Sequence, residues 1–244
     1  MASSDSEDFS PFNISTDLAP LPVYKPAGTA HVDFDSLLPA PGLALREDLA
    51  TGCGGQLWPA GMVLAKYMLR YQREGLRGKK ILELGAGGGL VGLAVALGCQ
   101  GFREPLWITD MEAMDGLMRD NIMLNQLGGR VEAKIYNWGE PAPRELRGEG
   151  GDGQVQVDTV LAADCVYFEP AFPLLLQTLE DVIGEGTTCW FCFKKRRRAD
   201  LHFVKQLKKK FEVVEVSEDV DREVYKRENL FLYKITRKAP GAAS

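Results

Sequence analysis

The sequence predicts an α/β protein with one seven-stranded, mostly parallel sheet and helices on both faces. Three observations carry this. From residue 79, short apolar β-type runs alternate with helix-type segments, the pattern of parallel sheets. The first run leads into "ELGAGGGLVG" at 83–92, which reads as strand, glycine turn and helix start. The last two runs, "EVVEVS" and "ENLFLYKITR", follow each other with no helix expected between them, so the final strand should be antiparallel.

Residues 1–20 hold Ser, Asp and Pro with little apolar periodicity and read as a flexible arm. Between Leu21 and Leu38, the runs "PVYK" and "AHVDF" flank a turn-like "PAGT", which predicts a hairpin. "GLALREDLATGCGGQLW" then leads through glycine-rich backbone to "PAGMVLAKYMLRYQREG". Pro59 suits a first helical turn, and Met62, Val63, Tyr67, Leu69 and Tyr71 fit a half-buried helix. "KKILELG" is a strand and "GLVGLAVALG" a nearly all-apolar helix. "PLWITD" is a strand, "MEAMDGLMRDNIMLNQLG" an amphipathic helix and "RVEAKIYNW" a strand. After the polar loop "EPAPRELRGEGGDGQVQ" come "VDTVLAADCVYF" as strand and loop, "EPAFPLLLQTLEDVIG" as helix, "TTCWFCFKK" as strand and "ADLHFVKQLKKKF" as helix. With no composition break, residues 21–237 form one domain, and 238–244 a disordered tail.

The 244 residues suffice for a large core without staples. A net charge of −5 argues against a general polyanion binder, so no direct nucleic-acid partner is expected. Five cysteines without a framework favour a reducing compartment. No apolar run approaches a membrane span, and "MASSDSEDFS" is neither signal nor transit peptide. A cytoplasmic monomer is the expectation.

The glycines admit two readings. Gly87, Gly89 and Gly92 match a dinucleotide turn, whereas Glu83, Gly85, Gly87 and Gly89 match an S-adenosylmethionine (SAM) site. Glu83 stands where it can orient the loop, and "GGG" is flatter than a dinucleotide turn needs. Asp110 ends the next strand, where it can take ribose hydroxyls or cap the following helix. The only histidines, His31 and His202, lie away from strand tips, which disfavours a dinucleotide oxidoreductase. The SAM reading prevails.

"QLWPAG", "ILELGAGGGLVG", "WITD", "YNWG" and "AADCVYFEPAFPLLLQTL" together resemble the seven-β-strand protein-lysine methyltransferases, and within them the methyltransferase-like 21 group. "FKKRRRAD" further resembles the fungal enzymes that act on elongation factor 1-alpha. The resemblance, over about residues 55–235, implies a Rossmann-like class I methyltransferase fold with SAM as cofactor and no metal. It implies that Trp58 lies against the methionine end of SAM, with Gly85, Ala86 and Gly87 beneath it. Asp110 would hold the ribose, Trp138 would flank the adenine, and Ala163 would offer backbone near the sulfonium. Asp164 and Tyr167, the "D-x-x-Y" after the fourth strand of the alternation, would face the substrate lysine.

Methyl transfer to an amine is an in-line displacement that rests on positioning. With a lysine pKa of about 10.4, on the order of one amine in two thousand is neutral at pH 7. A carboxylate beside the amine favours the ammonium, so Asp164 is a poor strong base and would instead orient the ammonium. Asp164→Asn is expected to spare folding and SAM binding while lowering methylation at least about tenfold. Two other function classes stay open: a SAM enzyme for a small molecule or nucleic acid, and a non-catalytic module with this fold. "DCVYFEP" lacks the Pro-Pro-aromatic pattern of nucleic-acid amine methylation.

Cys189 and Cys192 form a C-x-x-C, but i and i+3 of a strand point to opposite faces, so neither metal nor redox chemistry is expected. "KKRRR" at 194–198 reads as either a solvated face or a docking patch for an acidic surface.

Overall fold

In the computed structural model, which describes residues 28–48, 55–147 and 155–238, the alternation from residue 79 closes into one seven-stranded sheet. The strands are β3 (Lys80–Leu84), β4 (Arg103–Asp110), β5 (Val131–Ile135), β6 (Thr159–Ala163), β7 (Thr188–Lys194), β8 (Phe211–Glu215) and β9 (Leu230–Arg237). Their order is β5-β4-β3-β6-β7-β9-β8. Neighbours are parallel from β5 to β7, and β9 runs antiparallel to both β7 and β8. The strand order reverses between β4 and β6, so β3 lies at the switch point where such sheets bind ligands beyond their carboxyl ends.

Alternation along each strand sorts side chains to the two faces. Ile81, Leu161, Trp190 and Cys192 join the core under α1 (Pro59–Tyr67), α2 (Leu90–Gly98) and α3 (Glu112–Leu124). Leu82, Val160, Cys189 and Phe191 join the core under α4 (Phe172–Val182) and α5 (Arg198–Lys210). Cys189 and Cys192 are thus buried free thiols on opposite faces. The helix begun at Pro59 continues as wider π-helical turns over Met68–Gln72.

Two expectations need correction. The expected hairpin joins the run at residues 30–34 to "PVYK", which lies outside the described residues, as does the arm of residues 1–20; among the described residues the start of this run pairs with a later segment. β1 (Gly28–Val32) pairs with β2 (Leu43–Glu47), from Gly28 opposite Glu47 to Val32 opposite Leu43. In sequence, "LALRE" reads as a passage to the first helix. Tertiary contacts hold β2 as a strand. Asn125, the C-cap of α3, accepts from the Ala44 N–H at 2.9 Å, and Asn121 within α3 accepts from the Arg46 N–H at 2.7 Å. The second correction is a short helix, α6 (Arg222–Arg227), between β8 and β9. Of its six residues only Tyr225 is buried, too little for an apolar period to register. The antiparallel final strand stands as expected.

Candidate active site

The glycine turn sits at the tip of β3. Gly85, Gly87 and Gly89 have φ of +61°, +55° and +88°, conformations that disfavour a side chain. At Gly85 space is short as well: a Cβ would come within 2.9 Å of Cys165 Sγ and 3.0 Å of Trp138 Cζ2. The Ala86 N–H donates to the Thr109 carbonyl at 3.0 Å, and the Gly89 N–H to the Ala86 carbonyl at 2.7 Å. The Gly87 N–H donates to Asp110 Oδ2 at 2.7 Å. The turn is therefore fastened to β4 and bounded by the Trp138 ring.

Asp110 is half-buried at the tip of β4. Its Oδ1 accepts from the Met111 N–H at 2.7 Å. It is not the cap of α3, whose N-cap is Met111 without a side-chain bond. With one amide bond to each oxygen, the carboxylate keeps lone pairs for hydroxyl donors. Burial raises its pKa above the ordinary carboxylate value, opposed by the two amide bonds.

Glu83 departs from the expectation that it meets the cofactor. Only 2% exposed, it turns under the loop and accepts the Gly92 N–H at 2.7 Å, in the first turn of α2. There its side-chain oxygen does the work of a helix cap, since the N-cap Gly89 has no side chain to offer. Burial pushes its pKa up to about 8, against the lowering effect of the Gly92 and Val91 amides.

Asp164 follows β6 with φ +53°, an uncommon conformation for a residue with a Cβ. Its side chain is 5% exposed. Oδ2 accepts the Ala60 N–H at 2.9 Å, and so caps α1 from another element. Trp58, the N-cap residue of α1, makes no capping bond itself. Oδ1 accepts from the Lys194 N–H at 3.3 Å and Arg196 Nη2 at 3.2 Å. The Arg196 guanidinium also lies 5.6 Å from the centroid of the half-buried Trp58 ring. Ala163, half-buried, ends β6 just before. Tyr167 is 49% exposed beyond this cluster, and its carbonyl accepts from the Arg197 guanidinium. Cys165, buried beside Gly85, has its thiol pushed well above the usual range by burial, so it packs rather than reacts.

The structure thus gathers Trp58, Gly85–Gly87, Asp110, Trp138, Ala163 and Asp164 at the carboxyl end of the sheet. It adds Arg196, Arg197, Asp200 and Asn121 to the surroundings of the site. Arg196 and Arg197 belong to neither a solvated face nor a free patch: they clamp the loop that carries Asp164 and Tyr167. Buried Asp200 turns the basic segment inward, accepting the Arg196 and Arg197 N–H groups at 2.7 and 2.8 Å. Asn121, fully buried on α3, donates to the Gly88 carbonyl at 2.9 Å while holding β2. A buried asparagine in an apolar helical stripe was a visible signal; the partners of the arginines were not.

The lysine methyltransferase family matches residues 37–210. The chain belongs to that family. The protein-lysine N-methyltransferase EFM6 of Saccharomyces cerevisiae is 38% identical over 227 residues, covering 86% of this chain and 92% of its own. The EEF1A lysine methyltransferase 3 of Mus musculus is 35% identical, covering 72% of each. The protein N-lysine methyltransferase METTL21A of Danio rerio is 34% identical, covering 71% and 76%. Among solved structures, a fibrillarin of Aeropyrum pernix with bound SAM aligns over 71% of this chain and 73% of its own, with TM-score 0.50 and 17% identity. That likeness concerns the fold, a class I methyltransferase sheet. The lysine methyltransferase is thus an enzyme of protein-lysine N-methylation, with SAM as methyl donor. The dinucleotide reading of its glycines falls, as do the small-molecule, nucleic-acid and non-catalytic alternatives. No helix among the described residues is long and apolar enough to cross a membrane.

The site suits SAM. The narrow cradle at Gly85 leaves bare backbone, the aromatic face of Trp138 bounds it, and Asp110 has acceptor capacity next to the turn.

Proposed function

We propose that the enzyme methylates a lysine of translation elongation factor 1-alpha, and that it binds SAM over the β3 turn with the lysine entering between Trp58 and the Asp164–Tyr167 loop. The observation that carries the site assignment is the Asp164 cluster: an αL residue, buried, whose carboxylate joins three elements at one strand tip. The mouse relative, named for EEF1A, supports the substrate.

When bound, SAM supplies an electrophilic methyl group on its sulfonium. Gly85, Ala86 and Gly87 give the methionine part close backbone approach, Asp110 accepts the ribose hydroxyls, and Trp138 flanks the adenine. Ala163 offers a backbone group near the reacting centre. Asp164 orients the amine, but its charge is shared with Arg196, so it does not trap the ammonium. The guanidinium beside it favours the neutral amine, as does the loss of water when the substrate closes the site. The proton leaves to water before transfer. Tyr167 and Trp58 wall the aliphatic stem and tolerate the cation on entry. The protein acts as a cytoplasmic monomer in this reading.

Incubation with labelled SAM and purified elongation factor 1-alpha, read by mass spectrometry, tests the substrate; label confined to other proteins refutes it. Calorimetry tests the cofactor site: SAM or its demethylated product binds and NAD does not, and Asp110→Ala weakens SAM by roughly 1.5–3 kcal/mol through loss of a charged acceptor.

A further inference from the structure

We propose that the open groove between β1 and α1 receives the stretch of the protein substrate next to the target lysine, and that it selects a stretch combining basic and apolar side chains. The proposal rests on the reading that the lysine enters beside Trp58 and Asp164.

The groove holds about 510 Å³, within the range of sites that take several side chains. Its walls come from β1 and the turn after it, from the outer face of α1, and from the start of β9. Val32, Leu57, Met62 and Val63 line it as half-buried apolar side chains. Such a strip covers the stems of an extended peptide well but offers little to a small polar ligand.

The charge around this strip is one-sided. Asp33, Asp35 and Glu228 line the groove and are exposed. Among the described residues Lys66 is its only lysine or arginine, and its ammonium is engaged by Asp35 and, at 3.1 Å, by Asp221. The remaining field, from Asp33 and Glu228, is negative. Basic side chains therefore fit with their stems on the apolar strip and their heads at the acids.

The groove is continuous with the site. Pro59 lines it, its predecessor Trp58 faces Arg196, and its successor Ala60 donates to Asp164. On the opposite wall, Glu228 and Leu230 flank Asn229, whose carbonyl accepts the Lys195 N–H at 2.8 Å. A protein substrate presenting a lysine at Trp58 must lay adjacent residues on a neighbouring surface. An extended chain advances about 3.3 Å per residue, so the immediate flank of the lysine falls here.

The test uses the full chain and lysine-centred peptides whose flanks are basic and apolar, neutral and apolar, or acidic, each also made with arginine at the centre. The protein variant is Asp33→Asn with Glu228→Lys. The asparagine keeps the side-chain oxygen that accepts the Asp35 N–H. Peptide binding is read by fluorescence anisotropy and methyl transfer by labelled SAM. The expected result is that wild type favours basic, apolar flanks, with arginine-centred peptides bound alike. The double variant should bind them at least about tenfold more weakly, gain on the acidic flank, and keep SAM affinity. The gain on acidic peptides separates a groove effect from misfolding. Binding indifferent to flank charge, or unchanged in the variant, overturns the proposal. Flank-dependent binding without methyl transfer supports the groove and refutes the proposed site instead. Groove protection from hydrogen exchange in the free protein that vanishes on deleting residues 1–27, or on dilution, assigns the groove to the chain's own N-terminal segment or to a second copy. Either result also overturns the proposal.

Discussion

Asp164→Asn is the most informative single change. On sequence grounds it removes a charge at constant volume and spares the fold. The structure reverses that expectation. Oδ2 faces the Ala60 N–H, and Oδ1 faces the Lys194 N–H and the Arg196 guanidinium. An asparagine amide has only one oxygen. Turned toward Ala60, it sets its NH₂ against two donors; turned the other way, it sets NH₂ against the first amide of α1 that needs a cap. At least one backbone donor stays unsatisfied in either rotamer, which costs about 1–3 kcal/mol. Loss of attraction to Arg196, whose side chain is 24% exposed and can rehydrate, adds up to about 1 kcal/mol. At about 2–4 °C per kcal/mol for a chain of this length, the melting temperature should fall by roughly 2–16 °C. Methyl transfer measured well below the new melting temperature should still fall at least about tenfold, because the amine loses its orienting group. Thermal unfolding of Asp164→Asn, Arg196→Met and the double variant supplies the cycle: coupling of about 0.5 kcal/mol or more between the two sites is expected. Wild-type melting in Asp164→Asn, or strict additivity in the cycle, would refute the clamp.

Gly85→Ala should weaken SAM binding and lower stability together, because its Cβ meets Trp138 and Cys165 in a left-handed turn; calorimetry matching wild type would remove Gly85 from the site. Glu83 has a folded pKa of about 8, above its ordinary 4.5, so its protonated form is favoured in the fold. The stability it contributes is complete below about pH 4.5 and is lost as pH rises through about 8. Melting curves of wild type and Glu83→Gln should therefore diverge over that interval, with wild type losing ground, and parallel curves would contradict the raised pKa. Since Arg196 and Arg197 are engaged internally, any docking by the basic segment falls to its neighbours. Lys195→Glu with Arg198→Glu should raise the KM for protein substrate and leave SAM affinity alone; an unchanged KM returns these residues to a solvated role.

The sequence by itself determined the alternation of strands and helices, the turn at Gly85, Gly87 and Gly89, and the acids at strand tips. These are local properties: apolar period, positive φ and chain position are written in consecutive residues. The all-apolar α2 and the C-x-x-C split across β7 were legible for the same reason. Tertiary structure decided what each acid does. Glu83 was legible as a strand acid that can orient the loop, but only burial under α2 shows that it does so as a helix cap. Asp164 was legible as a site residue, but its bonds to Ala60 and Arg196 span 104 and 32 positions. A run of basic residues carries no sign in sequence of whether its charges point to water. Here Asp200 and the Asp164 loop draw Arg196 and Arg197 inward, and only the folded chain brings those partners within hydrogen-bonding distance. The partner of β1 was likewise decided at long range, by Asn121 of α3 and its C-cap Asn125, whose amides complete the backbone bonds of β2.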